Sequence, residues 1–331
     1  MVEELLVTAR FNPKIDPSLA IWSWEIPVYL FLGGLTAGIM VFAAYAVLAR
    51  KDLELPFAHN RIALWAPIAL SIGMTALFMD LEHKLYVFRF YTSFQPASPM
   101  SWGAWILVLI YPLMILQTLS TLRLGYPRLA GWLERLPLGG RALNLGETLR
   151  RPVAALVIPL AVGLGIYTGV LLSAFSARPF WNTGLLGPLF LISGLSTAGA
   201  VALIGARLAC ERHFFTRTDI FLIGVEVTLI TLIIINLGTG PAQQLNALHL
   251  VMGGEYTVPF WLWFVLPGLL IPLLLEIFEM RGICHYSLAA SLLVLYGGYM
   301  LRYLTVELGQ LSTWTQYAVQ FDPQLLERLT P

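Results

Sequence analysis

The chain is poor in the residues that hold redox metals. It has 2 cysteines and 5 histidines in 331 residues. Two thiols do not complete an iron–sulfur site, which typically takes four. The interiors of its long apolar segments contain no histidine. That excludes b-type haem held between helices by imidazoles at membrane depth. No metal site is expected. Charge is also scarce: 12% of residues are Asp, Glu, Lys or Arg, against about 25% in an average soluble domain. A net charge of +1 points to no nucleic-acid partner. The opening stretch MVEELLVTARFNPKIDPS lacks the basic start and small-residue cleavage site of a signal peptide. The first apolar helix is therefore expected to insert uncleaved.

Apolar residues are abundant, at 58%. They come in blocks long enough to cross a hydrocarbon core of ~30 Å, which takes roughly 20 helical residues. The blocks predict helices over Trp24–Ala49, Ile62–Leu81, Trp102–Leu122, Val153–Phe175, Leu186–Leu208, Ile220–Leu237, Val258–Ile277 and Leu288–Val306. They are too long, and alternate too little in polarity, for barrel strands. The expected fold class is an all-α integral membrane protein with eight transmembrane helices.

The basic residues orient it. Arg50, Lys51, Arg61, Arg123, Arg128, Arg135, Arg141, Arg150, Arg151, Arg207, Arg212, Arg217 and Arg281 fall in or beside the connections after helices one, three, five and seven. Arg10, Lys14, Lys84, Arg89, Arg178 and Arg328 fall on the other side. The positive-inside rule then puts both termini outside a bacterial or archaeal cytoplasmic membrane. The long inner connection from Arg123 to Arg151, rich in Leu, Gly and Arg, reads as an amphipathic segment along the lipid surface.

Two runs resemble each other. The first helix holds Leu30-Phe31-Leu32-Gly33-Gly34-Leu35-Thr36-Ala37-Gly38. The fifth holds Leu189-Phe190-Leu191-Ile192-Ser193-Gly194-Leu195-Ser196-Thr197-Ala198-Gly199. Both helices run from outside to inside, so the pair suggests two four-helix halves in parallel repeat. The halves would be residues 1–150 and 151–310, with an outer tail over 311–331. Close packing by small residues explains the same runs without a repeat.

The outer connections carry Phe88, Phe90, Tyr91, Phe94, Trp102, Trp105, Phe180 and Trp181. An aromatic belt accounts for any one of them; together they suggest a docking surface. Ionisable and hydroxyl groups gather at the same level. Tyr167 lies 14 residues into the fourth predicted helix, roughly 21 Å from its inner end. Arg302 has the same offset in the eighth. Glu25 and Tyr29 begin the first helix, Asp80 ends the second and Arg178 follows the fourth. Polar groups at membrane depth are costly and mark function by default. A quinone would need such partners: donors for its carbonyls, an acid/base for its protons and an apolar slot. The bland readings are an interfacial Glu25 and Asp80, a packing Tyr167, and an Arg302 ion-paired with Glu307, Asp80 or Glu25. Glu226, six residues into the sixth predicted helix, is expected roughly 9 Å from the inner side. There it would relay protons or simply hydrogen-bond, and Glu307 is a second relay candidate. Glu276 and Glu279 read as solvated helix ends. Loop histidines usually face solvent, His83 beside Asp80 and Glu82 being the one to watch.

Several segments together resemble the NrfD/PsrC family, the membrane subunits of polysulfide-reductase-type complexes. Trp22-Ser23-Trp24-Glu25-Ile26-Pro27-Val28-Tyr29 leading into Gly33-Gly34 is similar to its first-helix signature. Ser98-Pro99-Met100-Ser101-Trp102-Gly103-Ala104-Trp105 resembles the entry to its third helix. Tyr167-Thr168-Gly169, Arg178-Pro179-Phe180-Trp181-Asn182-Thr183 and Ser193-Gly194-Leu195-Ser196-Thr197 resemble its fourth and fifth helices. Gly224-Val225-Glu226 fits the sixth, and Met300-Leu301-Arg302-Tyr303 with Gly309-Gln310 the eighth. The likeness runs from about Ile21 to Gln310.

The resemblance implies a quinone-reactive subunit that takes menaquinone or ubiquinone as substrate and carries no haem or iron–sulfur cluster. It implies an outer-face [4Fe–4S] ferredoxin-like partner, often followed by a molybdopterin catalytic subunit. Tyr167 matches a family tyrosine at the quinone, and Tyr29 falls where some polysulfide reductases have histidine. Glu25, Asp80 and His83 are the candidates for proton exchange. Arg302 and Arg178 would bias the local field, and Trp181 would line the ring slot. The rival readings are a solute or ion transporter using Glu226 and Arg302, and a passive anchor.

Overall fold

The computed structural model describes residues 22–282 and 287–312. The termini, Cys284, His285 and most of the expected outer tail lie outside these residues. Eight helices are long and apolar enough to cross a membrane: α1 Glu25–Leu48, α2 Ile62–Asp80, α3 Pro99–Gly125, α4 Arg150–Ser173, α5 Leu186–Gly205, α6 Ala209–Gly238, α7 Pro259–Met280 and α8 Ser287–Leu311. Every predicted span is present, and the described residues contain no strand.

The main boundary change is at α6. It begins at Ala209, before the predicted Ile220, and runs 30 residues. Its first turns carry Glu211, Arg212, His213 and Arg217. Their polarity masks the helix in a hydropathy reading, but the segment closes its backbone hydrogen bonds internally and extends past the apolar block. α7 opens as a π-helix over Pro259–Leu270 before becoming α-helical over Ile271–Met280. Pro259, Pro267 and Pro272 lack backbone N–H groups, and the wider winding accommodates the loss.

Contacts sort the connections into two ends. At one, Glu211 Oε1 accepts the N–H groups of Phe57 and Ala58 at 3.0 Å each, Arg150 Nη2 approaches His59 Nδ1 at 3.1 Å, and Tyr126 reaches the Arg61 carbonyl. This is the basic end. The long α3–α4 connection forms two short helices there, Pro127–Glu134 and Gly139–Thr148. Arg123 pins both, with bonds of 2.8 Å to Glu134 and 2.9 Å to Asn144 and Glu147. At the other, aromatic end, Gln310 exchanges hydrogen bonds with the backbone of Trp22 at 2.8 and 2.9 Å. That ties the start of α1 to the end of α8.

The two similar small-residue runs meet face to face. A Cβ on Gly194 would lie 2.5 Å from the Gly34 carbonyl oxygen, and one on Gly38 would lie 2.3 Å from that of Gly194. Only glycine permits this backbone approach between α1 and α5. Such small-residue contacts replace the hydrophobic drive that lipid removes.

Candidate functional site

A cavity of about 490 Å³ opens at the aromatic end between α1, α2, α3 and α4. This is a common size for a small-molecule site. Its walls are mostly apolar and aromatic, including Ile26, Met74, Leu77, Phe90, Met100 and Leu172. Four ionisable side chains line it: Tyr29, Asp80 and Tyr167 from three different membrane-spanning helices, and Tyr91 from the short helix Phe88–Thr92. Neither the Tyr29 nor the Tyr167 hydroxyl is committed to a protein hydrogen bond among the described residues. Tyr91 and Tyr111 complete a group of four interacting phenols. Burial, then the neighbouring Tyr111, pushes the Tyr91 phenol above its ordinary range.

The position of Tyr167 depends on a glycine. A Cβ at Gly103 would sit 1.9 Å from Tyr167 Cζ and 2.3 Å from its Oη. The Tyr167 ring therefore lies flush on the bare backbone of α3. Gly103 is a candidate-site residue that sequence reasoning passed over, although it stands in the Trp102-Gly103-Ala104-Trp105 run. Nothing in hydropathy distinguishes a glycine that seats a ring from one that packs two helices.

Asp80 ends α2 at the cavity wall, and Glu25 lies close enough to interact with it. Glu25 is half-buried, with Oε2 lacking a partner. His83 stays outside the cavity. It lines an adjoining cleft with Glu82, Tyr86 and Arg89 that shares Leu81, Phe90 and Met100 with the first.

Other expected site residues do not reach the cavity. Trp181 is 3% exposed, stacks on Trp22 at 5.3 Å and donates its indole N–H to the Thr305 carbonyl at 2.6 Å. Arg178 donates to the Gln310 carbonyl at 2.6 Å. These two clasp the α4–α5 connection to α8, and Phe180 is buried with them. Phe180 and Trp181 therefore leave the expected docking surface, whereas Phe88, Phe90, Phe94 and Trp102 remain exposed. Glu307 lies half-buried near Tyr303 and Tyr256, away from the cavity.

Arg302 forms a separate centre. It is fully buried, and Nη1 donates to Ser193 Oγ at 2.5 Å and the Gly298 carbonyl at 2.9 Å. Nη2 donates to the Phe190 carbonyl at 2.9 Å, and the guanidinium lies 5.2 Å from the Phe190 ring centroid. Its charged neighbour is Glu226, which also sits by Ser193. The alternative reading of Arg302 as ion-paired with Glu307, Asp80 or Glu25 is not met; its charged neighbour is Glu226. The placement of Glu226 near the inner side is corrected too. With α6 starting at Ala209, Glu226 is 17 residues in, about 25 Å along the axis. Glu276, expected as a solvated end, is 1% exposed. His59, expected in solvent, is buried at the basic end; burial, followed by the charge of Arg150, lowers its pKa.

Among the described residues no three His, Cys, Asp or Glu side chains group to hold a metal ion. Cys210 is a free, exposed thiol at the basic end.

Comparison with known proteins follows the same lines. Residues 14–313 match the family described as Polysulphide reductase, NrfD. The sequence is 31% identical to protein NrfD of Escherichia coli over 88% of its own length and 96% of that protein. It is 28% identical to a polysulfide reductase chain of Wolinella succinogenes over 88% of its length and 94% of that relative. It is 29% identical to a tetrathionate reductase subunit of Salmonella typhimurium over 62% of its length and 55% of that relative.

Proposed function

We propose that this chain, which belongs to the polysulphide reductase NrfD family, is the quinone-reactive membrane subunit of a respiratory reductase complex. It is a multi-pass membrane protein. Its relatives bear the names of reductase chains and subunits, one of them a membrane subunit. The observation that carries the finer reading is the cavity in which Tyr29, Asp80 and Tyr167 project from three helices into an apolar slot.

A quinol brings two protons and two electrons to such a slot. The free hydroxyls of Tyr167 and Tyr29 donate hydrogen bonds to its oxygens. Asp80, beside Glu25 at the helix ends, exchanges the protons with the aromatic-end water. Met74, Leu77 and Leu172 hold the ring and exclude water from it. The electrons pass to an iron–sulfur partner docked on the exposed aromatic loops around Phe88, Phe90 and Phe94. A molybdopterin or other catalytic subunit beyond it acts on the terminal substrate. The membrane is the bacterial or archaeal cytoplasmic membrane, with both termini outside and the facing small-residue runs of α1 and α5 as the seam of two four-helix halves, α1–α4 and α5–α8, whose boundary falls in the α4–α5 connection and not at residue 150. The transporter reading gains little from Arg302, whose Nη1 and Nη2 already donate within the bundle and whose Nε alone has no partner among the described residues.

The test is quinol-linked turnover of the assembled complex beside artificial-dye turnover of its catalytic partner. Tyr167→Phe removes one hydroxyl and little volume. It should cost about 0.5–1.5 kcal/mol in quinol handling, roughly 2- to 12-fold, and leave dye turnover intact. Asp80→Asn should slow turnover and alter its pH dependence. If both variants retain wild-type quinol turnover, the cavity is not the quinone site and the passive-anchor reading gains.

A further inference from the structure

A second group of ionisable residues lies in the other half of the bundle and has no part in the cavity. Asp219 on α6 is fully buried, and Glu276 on α7 is 1% exposed. The two carboxyl groups face each other. Asp219 accepts a hydrogen bond from Ser196 Oγ of α5 at 2.5 Å through Oδ1, while Oδ2 has no other partner. Both carboxyl oxygens of Glu276 are buried without a hydrogen-bond partner among the described residues. Among the described residues, no lysine, arginine or histidine forms a salt bridge with either residue.

Two facing carboxylates without a cation cannot both carry charge in an apolar bundle. Removing each from water costs several kcal/mol, and their repulsion adds to it. One carboxyl group holding a proton removes one of the two charges and, with it, the repulsion between them. The pair also has a way out. A cleft of about 230 Å³ at the basic end is lined by Arg212, His213, Thr216 and Glu279. Thr216 is three residues before Asp219 on α6, and Glu279 is three residues after Glu276 on α7. One helical turn therefore separates the cleft from each member of the pair.

We infer that Asp219 and Glu276 form a proton-binding site, sharing one exchangeable proton that enters and leaves through the cleft at the basic end. The groups facing it are few. From α5 comes Ser196; on α6, Thr216 lies below Asp219 and Glu226 above it; on α7, Glu279 lies below Glu276. Glu279 accepts from Arg212 at 3.4 Å, and Arg212 also donates to Ser287 of α8, so a cation stands at the mouth of the cleft. α8 adds Ser291, fully buried, with a hydroxyl that has no protein partner. On the side of the pair away from the cleft, Ser196 bonds Asp219, and Ser193, one turn along α5, sits by Glu226, two turns along α6. That ladder leads toward the buried Arg302. The site requires no quinone, so its test stands or falls apart from the cavity reading.

The experiment is infrared spectroscopy of the full chain in lipid, with the amide background removed by comparing variants. Wild type should show a protonated-carboxyl band that shifts on transfer to heavy water. Asp219→Asn and Glu276→Gln should each abolish the same band, because one proton is shared. Glu279→Gln, at the mouth of the cleft, should retain the band and change its rate of deuterium exchange severalfold. If either single variant fails to assemble, the double variant Asp219→Asn/Glu276→Gln keeps the test open, since two neutral amides can bond each other. It should assemble and lack the band. Persistence of the band in the single or double variants overturns the proposal. So does a band that disappears when sodium is added at constant pH, which would make the pair a sodium site.

Discussion

Gly103→Ala is the sharpest perturbation of the cavity, because it adds one methyl group against one ring. The new Cβ would lie 1.9 Å from Tyr167 Cζ and 2.3 Å from Oη. Both distances are far inside contact, so the ring must swing away from α3 or the helices must part. Inserting a methyl into a packed position costs about 1–3 kcal/mol. Alanine also favours the helix over glycine by roughly 0.8–1.0 kcal/mol, which offsets part of the strain in overall stability. The two effects act on different quantities. Helix propensity supports assembly, while displacement of Tyr167 removes the hydroxyl from the place proposed for it at the quinone. Quinol-linked turnover should therefore fall by about 5- to 150-fold, the equivalent of 1–3 kcal/mol. The amount of assembled complex and its dye-linked turnover should stay near wild type. The apparent KM for quinol is the parameter to follow, beside Tyr167→Phe as a reference for loss of the hydroxyl alone. A Gly103→Ala complex with wild-type KM and turnover would refute the claim that Tyr167, held flush on this glycine, contacts the substrate.

Three further outcomes are expected. Arg302→Met should lower the thermal stability of the purified subunit by about 3–5 kcal/mol, since it strands Glu226 without its cation in the bundle; adding Glu226→Gln should recover part of the loss, and additive effects would show that the two do not interact. His59 is held below its ordinary pKa by burial and then by Arg150, so the unfolded chain binds the proton more readily. Its contribution to stability is complete above roughly pH 6.5 and falls away as pH drops through the lowered folded value. Melting points at pH 7.5 and 5.5 should differ more in wild type than in His59→Gln, and equal differences would refute the assignment. A tag on the C-terminus should be labelled from outside the cytoplasmic membrane and one between Arg128 and Arg141 should not, the reverse pattern overturning the orientation.

Eight spans, their order and the basic end are legible from composition, because a ~30 Å hydrocarbon layer imposes a length and an apolar content that no packing partner can supply. The expectation of no internal haem or cluster rests on ligand chemistry alone. Tyr29, Asp80 and Tyr167 also stand out in the sequence, since depth along a helix is simple arithmetic once its ends are known. Tertiary structure decided which faces those helices turn to one another. It moved Trp181 and Arg178 into a clasp beside Trp22 and Gln310, and it brought Arg302 to Glu226 instead of to the outer carboxylates. The misplacement of Glu226 came from a helix whose polar first turns hid eleven residues of its length. The facing of Asp219 and Glu276 has no sequence signal at all: each looks like a carboxylate near a helix end. Their burial depends on the rotation of α6 and α7, which hydropathy does not encode and packing against α5 and α8 sets.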